Sequence, residues 1–298
     1  MRRILVLRGG ALGDLIVTLP ALALLRQRWP EAHITLVGNP TAGRLALRRG
    51  LISELLSQHE GRWTPLHEPG PLPASLSEWL AAFDAVLNFW PDPDGAMQRH
   101  FPTRVGQVFL EAPALPKPGS GPAAAHFQAV LAPLGLQPGP LFYPLSPATP
   151  PSRKRSSIII HPGSGSPRKN WPLANWLRLA RGLPVRPVFI LGEAEVARWD
   201  AQGVSTAGVP TLRDKTLEDL IAELAGCRLF LGHDSGISHL AAGCGARCVL
   251  LFGPTDPAIW APPSPHVQVL QAGADFSALS PESVLATAQA RLADQRSG

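Results

Sequence analysis

Short apolar runs alternate along this chain with longer segments whose apolar residues recur every three or four positions. The runs are typical of buried strands, and we predict strands at 4–7, 34–37, 85–89, 157–161, 188–192, 229–231 and 249–252. The periodic segments predict helices at 15–28, 123–134, 172–183, 217–225 and 281–293. In the first helix we expect Ile16, Leu19, Ala23 and Leu24 to face inward. Because strands and helices alternate, the pattern predicts an α/β fold with doubly wound parallel sheets covered by helices.

The 298-residue chain is long enough for two domains, each with its own core. A proline-rich and then basic stretch, 144–155, has the composition of an interdomain linker. We therefore predict an N-terminal domain at 1–147 and a C-terminal domain at 148–298. No strand follows the helix at 281–293, so we expect that helix to pack back on the N-terminal domain. Ligands of such sheets bind at the carboxyl ends of strands, and we expect the two domains to face a cleft there.

Composition excludes several classes of protein. Hydrophobic residues make up 45% of the chain and charged residues 16%, which excludes a disordered chain. The net charge of +5 is scattered and forms no basic face with interleaved aromatics, so nucleic acid is not an expected partner. No apolar run approaches the roughly 18 residues of a membrane span. The odd number of cysteines, three, predicts buried reduced thiols in a cytoplasmic protein.

The loop after the first strand reads Gly9-Gly10-Ala11-Leu12-Gly13-Asp14. It is close to a dinucleotide fingerprint, but the glycine spacing differs and no acidic residue closes the second strand, so an NAD site is not favoured. Asp14 has two interpretations. It either stabilises the start of the next helix through the helix dipole or serves as a general base at the mouth of a site.

A second polar loop, His161 to Pro172, leaves a strand and enters a helix opened by proline. Ser164, Gly165 and Ser166 supply hydroxyl and N–H donors, and Lys169 supplies a positive charge, which together suit phosphate oxygens. The alternative is an ordinary polar loop with a solvated lysine.

The third loop, Gly232 to Gly236, lies between a buried strand and a helix. Asp234 or Ser235 would cap that helix, and Gly236 lets a ligand approach the backbone N–H groups, an arrangement that suits a diphosphate. His233 and His239 flank Ser235, and for both we predict a hydrogen bond that fixes the loop or a packed core position.

Metal ligands are not predicted. The spacing of Asp92-Pro93-Asp94 is the one used by metal-dependent sugar transferases, but a tight turn explains these residues equally well. No other cluster has convincing ligand spacing. We expect neither a metal nor another cofactor.

Three segments together resemble glycosyltransferase family nine, the ADP-heptose:lipopolysaccharide heptosyltransferases. They are ILVLRGGALGDLIVTLPAL, HPGSGSPRKNWPLANW and LGHDSGISHLAAGCGARCVLLFGPTDP, and they occur in family order. The resemblance implies a GT-B fold of two Rossmann-like domains. It implies an ADP-heptose or similar donor on the C-terminal domain and a glycan or glycolipid acceptor on the N-terminal side. It further implies inversion at the anomeric carbon without a metal. From the composition we expect a cytoplasmic protein with at most peripheral contact at the inner face of the cell membrane.

The same resemblance assigns roles to individual residues. Asp14 matches the base that deprotonates the acceptor, and Glu195, or alternatively Glu193, matches the acid that binds ribose. The donor and its diphosphate fall to Ser164, Ser166, Lys169, Asp234, Ser235 and Gly236. The positions of Gly165 in the second loop and of His239 one turn into the helix add these two residues to the same predicted donor site. Two alternatives stay open: a nucleotide-sugar-binding protein without activity, and a nucleotide-sugar epimerase or hydrolase.

Overall fold

The computed structural model describes residues 1–113, 115–147, 157–192, 195–196, 199, 205–206 and 208–294. The chain divides into two compact units, Met1–Tyr143 (unit 1) and Pro144–Gly298 (unit 2). This division falls four residues before the boundary that we predicted, at the start of the proline-rich stretch. Most of the predicted linker, 148–155 with its basic cluster, lies outside the described residues.

Unit 1 is a parallel sheet with helices on its connections. Its strands are β1 (Arg3–Arg8), β2 (His33–Gly38), β3 (Glu54–Ser57), β4 (Ala85–Asn88) and β5 (Val108–Glu111). Its helices are α1 (Leu12–Ile16), α2 (Leu19–Arg28), α3 (Arg44–Arg48), α4 (Ala74–Ala81) and α5 (Ala123–Ala129). The strand order is β3-β2-β1-β4-β5, and every pair is parallel.

Unit 2 repeats this architecture. Its strands are β6 (Ile158–Ile160), β7 (Val188–Ile190), β8 (Thr211–Leu212), β9 (Leu229–His233), β10 (Cys248–Phe252) and β11 (Val267–Gln271). Its described helices are α6 (Leu173–Gly182), α7 (Leu217–Gly226), α8 (Gly236–Gly243), α9 (Pro257–Trp260) and α10 (Pro281–Ala293). The parallel order is β11-β10-β9-β6-β7-β8.

Both sheets are doubly wound, which confirms the predicted fold class. The strand order reverses between β1 and β4 in unit 1 and between β6 and β9 in unit 2. A sheet of this kind leaves a crevice at its reversal point, outside the carboxyl ends of the strands. In unit 1 that point follows Arg8 and Asn88, and in unit 2 it follows Ile160 and His233.

The predicted helix at 15–28 is wrong as a single element. The structure has two helices, α1 and α2, that are separated at Val17 and Thr18. Pro20 has no N–H to continue the hydrogen-bond ladder of α1, and the Thr18 hydroxyl donates to the main-chain oxygen of Asp14 at 2.8 Å.

The restart of the helix changes which face is buried. Ile16 and Leu19 are buried as predicted, but Ala23 and Leu24 are only partly buried. Besides Leu19, the buried positions of α2 are Pro20, Ala21, Leu22 and Leu25.

Helix α10 also differs from our expectation. The apolar side chains of Val284, Ala288 and Leu292 are buried in the core of unit 2, against α6 and the strands it covers. The Arg228 side chain reinforces this position by donating to the main-chain oxygen of Leu292 at 3.1 Å. The face that we expected to reach the N-terminal domain is therefore used inside unit 2, because α6 offers it an apolar surface.

The three cysteines are buried and unbonded to one another, as predicted. In the described part of the chain, no helix is both long and apolar enough to cross a bilayer.

Candidate functional site

Asp14 lies in the first turn of α1, the helix that follows β1. One carboxylate oxygen accepts the N–H of Ala11 at 2.8 Å, and the other accepts from the Arg8 guanidinium at 3.2 Å. The side chain is 34% exposed, so both oxygens are oriented while a face stays accessible. A carboxylate held in this way is suited to accept a proton from a bound hydroxyl group.

Arg8 orients Asp14, although it was not among the residues predicted for the site. The residue is 5% exposed, and its Nε donates to the main-chain oxygen of Asp14 at 3.2 Å and to the Thr18 hydroxyl at 3.0 Å. Its guanidinium lies 4.4 Å from the ring centre of Phe127. Burial lowers the pKa of Arg8, and the charge and hydrogen bond of Asp14 oppose that effect. The sequence signal was a charged residue that closes an otherwise apolar strand.

Gly10 makes room for the carboxylate. Its φ is +98°, a conformation that side-chain-bearing residues rarely adopt, and a Cβ there would collide with the Asp14 side chain. Gly10 thus leaves the space that the Asp14 side chain occupies, whereas Gly9 lies against the Trp90 ring.

A cavity of 980 Å³ opens beside this carboxylate. It is lined by Arg8, Gly9, Gly10, Asp14, Phe89, Pro91, Asp92, Pro93, Gln98, Phe109, Glu111, Ala112, Pro113 and Leu115. A smaller recess of 620 Å³ adjoins it and shares Gly9, Gly10 and Pro91. Both volumes lie in the range of small-molecule sites.

Asp92 and Asp94 form the turn that their sequence indicated. The Asp92 carboxylate accepts the backbone N–H groups of Met97 at 3.0 Å and Gln98 at 2.8 Å, and Asp94 accepts that of Ala96 at 3.3 Å. In the described ranges, no group of three or more His, Cys, Asp or Glu side chains is arranged to hold a metal ion.

In unit 2, Lys169 and Asp234 form an ion pair at the reversal point of the sheet. Lys169 ends a single 3-10 turn, Pro167–Lys169, and Asp234 follows β9 directly. The Lys169 ammonium donates to the Asp234 carboxylate at 2.8 Å. The lysine side chain is 33% exposed and that of Asp234 9% exposed, so the lysine keeps a solvent-facing side.

Ser235 caps α8, as predicted. Its hydroxyl accepts the N–H of Ser238 at 3.3 Å and lies 3.3 Å from Nδ1 of His161. The N–H groups of Gly236 and Ile237, in the first turn of α8, have no partner within the helix, and such groups together with the helix dipole attract anions.

His233 fixes the loop beside this helix. Its Nε2 accepts the N–H of Trp171 at 2.7 Å, and its Nδ1 lies 3.4 Å from the main-chain oxygen of Gly163. Complete burial lowers the pKa of His233 to about 3, so the ring is neutral. This confirms the prediction of a loop-fixing hydrogen bond. His239 is also buried, which agrees with a packed position in α8.

The serines of the second loop differ in exposure. Ser164 is buried, and its hydroxyl lies 2.6 Å from Oδ1 of Asn170 and 2.7 Å from the main-chain oxygen of Ser166. It therefore holds the loop together, because those contacts use its hydroxyl. Gly165 is exposed and Ser166 partly exposed, and these two residues present the outer surface of the loop.

Glu195 is 4% exposed and lies beneath the same loop. One of its oxygens accepts the N–H of Gly192 at 3.1 Å and lies 3.9 Å from Nε2 of His161. Burial acts to raise the pKa of Glu195, but hydrogen bonds and charge from His161 outweigh it, and the pKa is lowered. The side chain is thus engaged inside the domain in this structure, and a ribose contact by Glu195 stays a prediction. The alternative, Glu193, lies outside the described residues.

The fold and these two sites define a protein of two Rossmann-like α/β domains. One carries the oriented Asp14 carboxylate, and the other carries a helix start with unpaired N–H groups beside Lys169. Solved structures share this fold over nearly the whole chain. A glycosyltransferase family 9 protein of Veillonella parvula aligns with a TM-score of 0.77 at 22% identity, covering 98% of both chains. E. coli ADP-heptose lps heptosyltransferase II aligns at 0.73 with 20% identity over 100% of both. E. coli heptosyltransferase WaaC, solved with ADP-2-deoxy-2-fluoro heptose, aligns at 0.71 with 20% identity, covering 97% of this chain and 99% of that one.

The family profile of glycosyltransferase family 9 (heptosyltransferase) matches residues 132–282. The chain belongs to this family, which confirms the resemblance seen in its motifs.

Lipopolysaccharide heptosyltransferase 1 of Pseudomonas aeruginosa is 37% identical over 106 residues, which are 34% of this chain and 29% of that protein. The Salmonella typhimurium protein of the same name is 34% identical over 97 residues, which are 30% of this chain and 30% of that protein. These two matches therefore span less than a third of the relatives. The E. coli K12 protein is 22% identical over 306 residues, covering 86% of this chain and 89% of that protein.

Proposed function

We propose that this protein transfers a sugar, heptose, from an ADP-activated donor to a hydroxyl group of a lipopolysaccharide or other glycan, with inversion and without a metal. Family membership and the names of the relatives support the reaction class. The observation that carries the proposal is the Asp14 carboxylate, which is oriented by two hydrogen bonds and lines a cavity of 980 Å³.

In the proposed reaction Asp14 is the general base. The acceptor hydroxyl attacks the anomeric carbon of the donor while its proton passes to a carboxylate oxygen of Asp14. A carboxylate is a weak base for an alcohol, so we expect proton transfer to accompany bond formation rather than to precede it. Attack on the face opposite the departing diphosphate inverts the anomeric configuration.

In unit 2 the leaving diphosphate needs positive charge as the glycosidic bond breaks. Lys169 and the first-turn N–H groups of Gly236 and Ile237 supply such charge at one reversal point. Asp234 holds the lysine there. We propose that these groups do the work that a divalent cation does in metal-dependent transferases. Ser166 and Gly165 are proposed to border the same diphosphate.

Nucleotide binding is tested first, by thermal shift with ADP, UDP and GDP. We expect ADP alone to stabilise the protein, by about 2.7 kcal/mol at 100 times its Kd. Lys169→Met should abolish this stabilisation, and Arg168→Met, which removes the exposed neighbouring charge, should keep it. Equal stabilisation of both variants by ADP would contradict the diphosphate role of Lys169.

Transfer is tested by acceptor-dependent release of ADP from ADP-heptose, with and without EDTA. We expect release to survive EDTA and to fall by at least 100-fold in Asp14→Asn, with ADP binding unchanged. Binding without any release would instead indicate a nucleotide-sugar-binding protein, and donor consumption without acceptor would indicate an epimerase or hydrolase. We also propose a cytoplasmic location with at most peripheral membrane contact, which fractionation of cells tests directly.

A further inference from the structure

The loop that carries Lys169 is held at both ends by one side chain, that of His233. Its Nε2 lies 2.7 Å from the backbone nitrogen of Trp171, and its Nδ1 lies 3.4 Å from the main-chain oxygen of Gly163. A backbone N–H can only donate, so Nε2 is the acceptor and the ring proton is on Nδ1, facing the Gly163 oxygen. One neutral imidazole thus joins the residue before the polar stretch 164–170 to the residue after it.

The imidazole is itself fixed in position. His233 is fully buried, and its ring packs edge-on against Trp176 and Phe276, whose ring centres are 5.1 and 5.6 Å away. Burial lowers the pKa of His233 to about 3, so Nε2 stays an acceptor at neutral pH. Trp171, at the far end of the loop, is 1% exposed and donates its indole N–H to the main-chain oxygen of Leu279 at 3.2 Å. The loop is therefore tied to the core of unit 2 through its backbone.

Two consecutive residues at the end of β9 hold this loop by different means. Asp234 binds the Lys169 ammonium at 2.8 Å, and His233 binds the backbone two residues further on, at Trp171. A diphosphate competes with the Asp234 carboxylate for the ammonium, because both are anions. It does not compete for the hydrogen bonds of His233, which are buried and involve the main chain. The backbone restraint therefore stays in place when the ammonium of Lys169 turns to a ligand.

We propose that His233 is a positioning residue for the diphosphate, which keeps Lys169 beside the start of α8 after the ammonium has left Asp234. This inference rests on the proposed function for the identity of the ligand, and it adds the group that sets the position of the cation. Without these hydrogen bonds, the Trp171 N–H and the Gly163 oxygen would be buried without their partner, and the loop would gain other arrangements. Affinity for the diphosphate should then fall, because only a fraction of the molecules would present the lysine correctly.

The test measures the affinity of the full-length protein for ADP and for inorganic pyrophosphate, by calorimetry at pH 7. His233→Phe keeps an aromatic ring against Trp176 and Phe276 but removes both hydrogen bonds, and we expect it to weaken both ligands at least tenfold. His233→Gln carries one acceptor and one donor on a planar group, and we expect affinities within threefold of the wild-type protein. Trp176→Phe is the matched control. It trims the same aromatic cluster at an indole whose N–H has no partner among the described residues, and both affinities should stay within twofold.

A double-mutant cycle with Lys169→Met separates positioning from stability. In the wild-type protein and in Trp176→Phe, Lys169→Met should weaken ADP at least tenfold. In His233→Phe the same change should weaken ADP less than twofold, because the lysine is no longer held where the diphosphate binds. Additive losses would overturn the proposal, and so would a loss in Trp176→Phe or His233→Gln as large as that in His233→Phe.

A spectroscopic measurement decides the case in which His233→Phe does not fold. In nitrogen-labelled wild-type protein, the hydrogen bond from the Trp171 amide to Nε2 of His233 should give a scalar coupling between the two nitrogen nuclei. This coupling should persist when ADP or pyrophosphate is bound. Its absence from the free protein, or its loss on binding, would refute the positioning role.

The two proposals fail separately. Binding of pyrophosphate but not of ADP, with the expected dependence on His233, would refute the ADP donor and leave the positioning role intact. Binding of ADP that depends on Lys169 but not on His233 would refute the positioning role alone. No binding of either ligand to the wild-type protein would refute both.

Discussion

Replacing Arg8 with methionine removes the guanidinium that orients Asp14 while keeping most of the volume of the side chain. When one partner of a buried ion pair is removed, about 3–5 kcal/mol is lost if the other charge stays dry. Here the loss should be smaller. Asp14 is 34% exposed and can be hydrated, and its main-chain oxygen keeps the hydrogen bond from Thr18 at 2.8 Å. The substitution also removes the cost of burying Arg8 itself.

We therefore expect Arg8→Met to lower the free energy of unfolding of unit 1 by about 1–3 kcal/mol. With a urea m-value of about 2 kcal/mol/M, this moves the unfolding midpoint by roughly 0.5–1.5 M. Under the proposed function, kcat should fall at least tenfold while the KM for the donor changes less than twofold, because the donor contacts lie elsewhere.

Arg3→Met is the matched control. Arg3 lies on the same strand, is exposed, and has its guanidinium 5.2 Å from the ring centre of Phe83. We expect it to cost less than about 0.5 kcal/mol and to leave kcat unchanged. If Arg8→Met loses more than about 4 kcal/mol, or if it keeps full kcat, the positioning role that we assign to Arg8 is wrong.

Three further predictions follow from buried or constrained positions. The pKa of His233 is about 3 in the folded state against 6.5 for the free side chain, so the unfolded chain binds a proton that the folded protein does not. The free energy of unfolding should therefore fall as the pH drops from about 6.5 toward 3, by up to about 1.4 kcal/mol per pH unit. His233→Gln should flatten this slope when urea unfolding is measured at successive pH values. Ser235→Ala removes the cap of α8, so it should lower the free energy of unfolding by about 1 kcal/mol and weaken ADP binding in calorimetry. The control Ser280→Ala removes the cap of α10, and it should lower the free energy of unfolding by about as much while ADP binding stays intact. Gly10→Ala should displace Asp14 and abolish ADP release without changing the affinity for ADP, and retained release would contradict the close packing of these two residues.

Strands that are buried on both faces were predictable from the sequence. β1, β9 and β10 appear in the chain as nearly continuous apolar runs, because a central parallel strand meets helices on each side. All four edge strands, β3, β5, β8 and β11, escaped prediction, and β3 and β11 show why. Their residues are mostly half-buried and their sequences, ELLS and VQVLQ, acquire strand character only from pairing with β2 and β10.

The candidate site was predictable in its parts but not in its contacts. Lys169 and Asp234 were each expected near a diphosphate, yet their ion pair depends on the parallel pairing of β6 with β9, which joins loops 65 positions apart. Arg8 was missed because its importance comes from burial against Phe127 and Asp14, which periodicity does not reveal. Ser164 looked like a ligand group, but its hydroxyl stabilises its own loop.

The ion pair between Lys169 and Asp234 has a consequence for the energetics of ligand capture. A lysine side chain loses up to about 2 kcal/mol of rotamer entropy when it is fixed. In this protein Asp234 holds the ammonium in the folded state, so under the proposed function a diphosphate would meet a cation whose orientation is already set. Part of the entropic cost of recognition is thereby transferred from the binding step to the folding of unit 2.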